Sequence, residues 1–170
     1  MLFQEYKANF ETKKALLKFP PGTMHEGVGC ETKVQPSMPP WIMDWAILYP
    51  DGYHIRVKET YKPKPHPLYN QGQRHHFSFQ YGKTTSRDAK KNMPRTASDQ
   101  DTIIRLDRDQ FGPHMHYAGR SHIEQESVTG KFIIDNAEVF EFIEAVETCR
   151  QSGCSMEDIL FFSLKKEAKR

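Results

Sequence analysis

Cysteine is scarce in this chain. There are three, Cys30, Cys149 and Cys154, an odd number with no CxxC spacing. That excludes a disulfide framework and a cysteine-based zinc site, and it points to a reducing, cytoplasmic setting. Neither Cys149 nor Cys154 sits in a clearly electropositive stretch, so a cysteine nucleophile is not expected. Long apolar runs are missing too. No stretch approaches the roughly 18 residues that span a bilayer. The opening residues lack the basic-then-apolar order of a signal peptide, so no membrane partner is expected. There is no glycine-rich phosphate loop, no HExxH and no GxSxG. No cofactor is expected from such motifs.

What is present suits a folded protein. The 170 residues fit one domain. Aromatics reach 12% and charged residues 27%, a balance that argues against a disordered chain. The charge is unevenly spread. Between Lys62 and Arg95, eight basic residues face one acid, Asp88, a net +7. Between Glu124 and Leu160, nine acids face Lys131 and Arg150, a net −7. A basic middle suits a phosphate backbone, and an acidic later segment suits a basic partner. Each also reads as an ordinary solvated surface.

Pattern and turn signals give the organisation. A helix is expected within 2–19, stopped by Pro20-Pro21-Gly22. Residues 22–40, rich in glycine and proline, read as a connection, so 1–41 is set apart as an N-terminal extension from a domain at 42–170. Trp45 to Tyr49 reads as a buried strand, Pro50-Asp51-Gly52 as a turn, and His54 to Thr60 as an alternating strand. Alternation puts Ile55, Val57 and Glu59 on one face and His54, Arg56 and Lys58 on the other. Glu59 is either a solvated strand end or a carboxylate at a pocket edge. Further strands are expected over 76–81, 102–107 and 115–117. The polar, basic stretch 82–100 lacks a period and reads as a flexible insert. Two helices follow. The first is capped by Asp135 or Asn136 and carries an apolar face of Val139, Phe142, Ile143 and Val146. The second starts at Ser155. The expected class is α+β: an antiparallel meander of four to five strands with two C-terminal helices on one face.

Chemistry concentrates between Arg105 and His122. Three of the eight histidines, His114, His116 and His122, lie within nine positions. On an extended chain His114 and His116 point to one side, and so do Arg105 and Asp107. Two strands joined by a short turn can present all four together. Three readings fit. A His-x-His pair with Asp107 or His122 has metal-ligand character. Imidazoles near their ordinary pKa, with an arginine fork, suit metal-free phosphodiester chemistry on RNA, whose 2′-hydroxyl supplies the nucleophile. Histidines in a polar turn are also often solvated, and Arg105–Asp107 is then an ordinary ion pair.

The order of elements resembles the TumE-like toxins of bacterial toxin–antitoxin systems. Asp51-Gly52 lies at a hairpin tip, and Lys58-Glu59 ends a strand. Phe77-Ser78-Phe79-Gln80-Tyr81 follows, then Arg105-Leu106-Asp107, Pro113-His114 and a cluster ending at His122. The resemblance spans roughly Trp45 to Val146. It implies a compact α+β domain, a helix-turn-helix antitoxin as partner, and toxicity directed at RNA. The matching positions are Glu59, Arg105, Asp107, His114, His116 and His122. Here Met115 separates the two histidines that family members pair directly.

The expected activity is therefore a toxin-like, metal-independent ribonuclease. His114 or His116 would act as base and His122 as acid. Arg105 and Arg120 would hold the phosphate while Asp107 orients a histidine or Arg105. Glu59, Lys83, Arg87, Lys90 and Lys91 would contact substrate. The alternatives are a non-catalytic interaction module of a defence or phage complex, and a metal-dependent hydrolase using His114, His116 and Asp107.

Overall fold

A computed structural model describes residues 3–32, 41–62, 73–98, 100–110, 112–117, 120–124 and 138–153. The side chains of 3–4, 28–32, 41, 61–62, 73–75, 112–113 and 120–124 fall outside that description. The expected second C-terminal helix from Ser155, and the caps Asp135 and Asn136, lie outside the described residues.

The class is α+β. Helix α1 (Phe3–Leu16) precedes strands β1 (Met24–Thr32), β2 (Trp41–Leu48), β3 (Tyr53–Lys62) and β4 (Gln73–Lys83). A small pair, β5 (Ser86–Arg87) and β6 (Pro94–Arg95), comes next. Strands β7 (Thr102–Asp109), β8 (Gly112–Tyr117) and β9 (Arg120–Glu124) and helix α2 (Val139–Ser152) complete the described elements. Seven strands form one sheet in the order β1-β2-β3-β4-β7-β8-β9, with every neighbouring pair antiparallel. The meander is thus longer than the four to five strands expected, and one of its two described helices is N-terminal.

The β2–β3 hairpin turns where proline, aspartate and glycine predict it. Gly52 takes φ 84° and donates its N–H to the Tyr49 carbonyl at 3.1 Å. Strand β1 escapes a reading of pattern because two glycines interrupt it. Gly27 has φ 88°, and a side chain there would meet the Asp44 carbonyl oxygen at 2.5 Å and the Met93 methyl at 2.7 Å. Glycine is required because another strand and a hairpin press against it. Residues 24–32, read from sequence as connection, therefore belong to the sheet.

Alternation divides the sheet into two faces. Met43, Trp45 and Ile47 of β2, Ile55 and Val57 of β3, and Phe77 and Phe79 of β4 are buried on one face with Ile104, Leu106 and Met115. Helix α2 covers them with Val139, Phe142, Ile143 and Val146, as its spacing predicts. Phe142 meets Phe79 at 5.8 Å between ring centres, and Phe10 of α1 meets Trp45 edge-on at 5.4 Å. Glu59 is on this covered face, 2% exposed, and accepts a hydrogen bond from the Tyr6 hydroxyl. It is a buried, hydrogen-bonded carboxylate rather than a solvated strand end. Glu147 of α2 likewise accepts from the buried Tyr49 hydroxyl. Burial, then that carboxylate, pushes the tyrosine's pKa upward.

The stretch read as a flexible insert forms an ordered hairpin. Thr85 N–H donates to the Arg95 carbonyl at 3.0 Å and Asp88 N–H to the Met93 carbonyl at 2.8 Å. The Asp88 carboxylate takes the N–H groups of Lys90 and Lys91 at 2.9 and 3.1 Å, an Asx-type turn. Met93 then packs on Ala46 and Leu48 of the second face. Its anchor is Asp44, 2% exposed, which accepts from Arg56 at 3.0 and 3.1 Å and from Lys91 at 3.0 Å. Burial alone would raise the Asp44 pKa, but the hydrogen bonds and charges of Arg56 and Lys91 outweigh it and hold it low.

His54 lies under this hairpin, fully buried, with Nδ1 2.9 Å from the Thr84 hydroxyl. Burial, with the charges of Arg56 and Arg87, pulls its pKa from 6.5 to about 4. Between those values the unfolded chain takes up a proton that the folded chain refuses. The contribution of a neutral His54 is therefore complete above pH 6.5 and lost as pH falls toward 4. Denaturant titrations across this window should show wild type losing on the order of 3 kcal/mol relative to His54→Gln. Parallel pH profiles for the two proteins would contradict this.

Candidate functional site

The register of the sheet assembles the site. Asp44 of β2 pairs with Lys58 of β3, Lys58 with Ser78 of β4, Ser78 with Asp107 of β7, and Asp107 with His114 of β8. The next polar-face row joins Ala46, Arg56, Gln80, Arg105 and His116 in the same way. Two adjacent cross-strand rows thus carry charge across the polar face, ending in imidazoles. Directly opposed side chains lie ~4.5–5.5 Å apart at Cβ, so each row is a chain of contacts.

Arg105 is the centre of the cluster. Its Nε donates to Asp107 Oδ2 at 2.6 Å and its Nη2 to His116 Nε2 at 2.7 Å. The same carboxylate oxygen lies 3.4 Å from His116 Nε2 and 3.7 Å from His114 Nε2. His114 Nδ1 is 3.9 Å from Asp109 Oδ1, so each of its nitrogens faces a carboxylate. The two imidazole rings are 5.2 Å apart. Asp107, His114 and His116 are 8%, 4% and 3% exposed. Arginine carries only donors, so its contact with His116 fixes the direction of that hydrogen bond. Nε2 of His116 accepts, and the ring's neutral form carries its proton on Nδ1.

Beside the cluster the sheet face hollows into a cavity of about 330 Å³. Arg56, Lys58, Ser78 and Gln80 form its floor, with Arg105 and Asp107 at the cluster end. Asp88 and Arg95 of the hairpin form a side wall. Four cations and two carboxylates leave the lining positive, the sign that attracts an anionic ligand.

Four of the sequence-derived candidates, Arg105, Asp107, His114 and His116, come together. Arg120 and His122 are on β9, the strand next to β8, and their side chains are outside the described residues. Glu59 points to the opposite, helix-covered face. Arg87 pairs with Glu26 at 2.7 Å and Lys91 with Asp44, while Lys83 and Lys90 are exposed. None of these four lines the cavity. The residues that do, Arg56, Lys58, Ser78, Gln80 and Arg95, were absent from the sequence-derived site. Their signal was alternation: Arg56 and Lys58 already shared a face, and only the strand register was needed to join that face to Arg105.

The ligand atoms of Asp107, His114 and His116 lie within 4.8 Å of one another, close enough to converge on one cation. The Arg105 guanidinium competes for that position, because it occupies the His116 lone pair. The donor set therefore suits a metal only after Arg105 turns away.

Comparison with protein-family models, with curated proteins and with solved structures finds no match.

The Arg105 contact fixes a tautomer that is directly measurable. In long-range ¹H–¹⁵N spectra at neutral pH, His116 should show an unprotonated Nε2. Arg105→Met should release it to a mixture of tautomers. A wild-type ring protonated at Nε2 would contradict the arrangement.

Proposed function

We propose that the cluster cleaves RNA by metal-independent acid–base chemistry, as a toxin-like ribonuclease. The observation that supports this best is the convergence of two imidazoles on one guanidinium from paired strands, the guanidinium itself lining a positive cavity. RNA fits because its own 2′-hydroxyl supplies the attacking oxygen, so no protein nucleophile is required.

The step divides among the residues by position. An incoming phosphate draws the Arg105 guanidinium off His116, and the freed Nε2 takes the 2′-hydroxyl proton. The 2′-oxygen attacks phosphorus and the bond to the 5′-oxygen breaks. His114, held toward the Asp107 and Asp109 carboxylates, hands a proton to that leaving oxygen. His122 on the neighbouring strand is the other candidate acid, and Arg120 the other phosphate ligand. Arg105 offsets the charge that builds on the phosphate, where preorganised donors act most strongly. Asp107 is a positioning residue that orients Arg105 and His114. The products are a 2′,3′-cyclic phosphate and a 5′-hydroxyl. A helix-turn-helix antitoxin remains a proposal tied to the family resemblance.

A metal-dependent hydrolase is the second reading, favoured by the compact Asp107–His114–His116 set. Chelation separates the two. On a mixed RNA pool in EDTA, wild type should cut at its full rate. His116→Ala should lose about 10²–10⁴-fold and Arg105→Ala about 10²–10³-fold. Melting curves would check that both variants fold. Activity lost in EDTA and restored by zinc would move the assignment to the metal reading. Equal rates for wild type and His116→Ala would remove the cluster from catalysis.

A further inference from the structure

Most cations on the polar face are already committed to a carboxylate. Arg56 and Lys91 hold Asp44, Arg87 holds Glu26, and Arg105 holds Asp107. Lys58 and Arg95 are different. Both line the cavity, both are exposed, and neither makes a salt bridge among the described residues. They approach it from different elements, Lys58 from the floor on β3 and Arg95 from the wall on β6. Arg95 also acts electrostatically on Asp88 of the same wall, but four cations face only two carboxylates across the lining, which makes the hollow an anion site by its chemistry.

The placement relative to the cluster is what gives the site a meaning. Lys58 is two strands from β7, which carries Arg105. At the usual strand spacing that is roughly 10 Å at the backbone, and long side chains reaching inward shorten it. Between the two positions Gln80 donates through Nε2 to the Thr102 hydroxyl at 3.1 Å and also to the Thr96 hydroxyl. Its amide is therefore fixed with the carbonyl oxygen as its remaining polar atom, an acceptor for a base amino group or a ribose hydroxyl. Ser78 adds a hydroxyl to the same floor.

We propose that this cavity is a nucleotide subsite in which Lys58 and Arg95 bind the phosphate next to the scissile one. The preferred substrate is then a single-stranded oligonucleotide with at least two consecutive phosphodiesters, rather than a dinucleotide. This deepens the ribonuclease reading and rests on it for the identity of the neighbouring reacting centre. The hairpin has a corresponding role: by fastening Lys91 to Asp44 it brings Arg95 to the edge of the sheet face.

The test uses the full chain and two short oligouridylates, a dinucleotide with one phosphate and a trinucleotide with two. Their 2′-deoxy forms serve as uncleaved probes for binding. Wild type should bind the trinucleotide at least about tenfold more tightly, with a salt dependence steeper by about 0.7 in log–log slope, the increment for one further phosphate contact on a single strand. Lys58→Ala/Arg95→Ala should bind both probes alike, with the shallower slope. Both side chains are at the surface, and a thermal melt confirms that the variant folds. Equal affinity and slope for the two probes in wild type, or a preference that survives in the double variant, would overturn the subsite. Displacement by a polyglutamate peptide as effective as by the trinucleotide would overturn it in favour of an acidic protein partner. The outcomes separate from the ribonuclease reading. Cleavage of ribo-forms without a length preference sinks the subsite alone. A length preference without any cleavage keeps the subsite and sinks the catalysis.

Discussion

The Arg105 guanidinium holds two groups at once, Asp107 at 2.6 Å and His116 at 2.7 Å. The first joins two residues of β7 that share a face, and the second exists because β7 and β8 are paired with Arg105 opposite His116. A slip of one residue in either strand would send that strand's two polar side chains to the covered face. The buried side resists such a slip, since Leu106 and Met115 would then leave the core. The apolar face thereby fixes the geometry of the polar one. Packing under α2 and the alignment of the imidazoles are the same constraint read on two sides of one sheet.

Charge on the polar face follows a similar economy. The buried carboxylate of Asp44 is held by Arg56 and Lys91, and this contact carries the β5–β6 hairpin onto the sheet. Leaving such a carboxylate unpaired would cost several kcal/mol, so the hairpin's position is tied to a charge that must be neutralised. Lys58 and Arg95 stay outside these pairings and face a hollow. On this account the same face supplies the reacting groups and the grip on the neighbouring phosphate.

Much of this was legible in the sequence, and the failures have identifiable causes. The Pro50-Asp51-Gly52 turn, the alternation from His54 to Glu59 and the α2 face from Val139 to Val146 each carry a local signal that tertiary context reinforces. Arg105, Asp107, His114 and His116 were placed on common sides by period two alone. Strand β1 was missed because Gly27 breaks the apolar pattern for a reason only the packed sheet reveals. Alternation showed Glu59 only as a carboxylate among apolar neighbours, whereas the tyrosine that donates to it comes from a helix far away in sequence. The hairpin looked featureless because Asp88 and Asn92 build it through turn chemistry, without a hydrophobic period. Arg56, Lys58 and Arg95 required the pairing of strands distant in sequence, which no local pattern encodes.

The central claim is that imidazole and guanidinium groups, and not a metal-bound water, carry out the reaction. The chemistry of the cut ends distinguishes these most directly. A defined oligoribonucleotide incubated with the protein in EDTA should yield 2′,3′-cyclic phosphate and 5′-hydroxyl ends by ³¹P NMR and mass spectrometry. Products ending in 3′-hydroxyl and 5′-phosphate would show that water attacked in place of the 2′-oxygen, and would contradict the account.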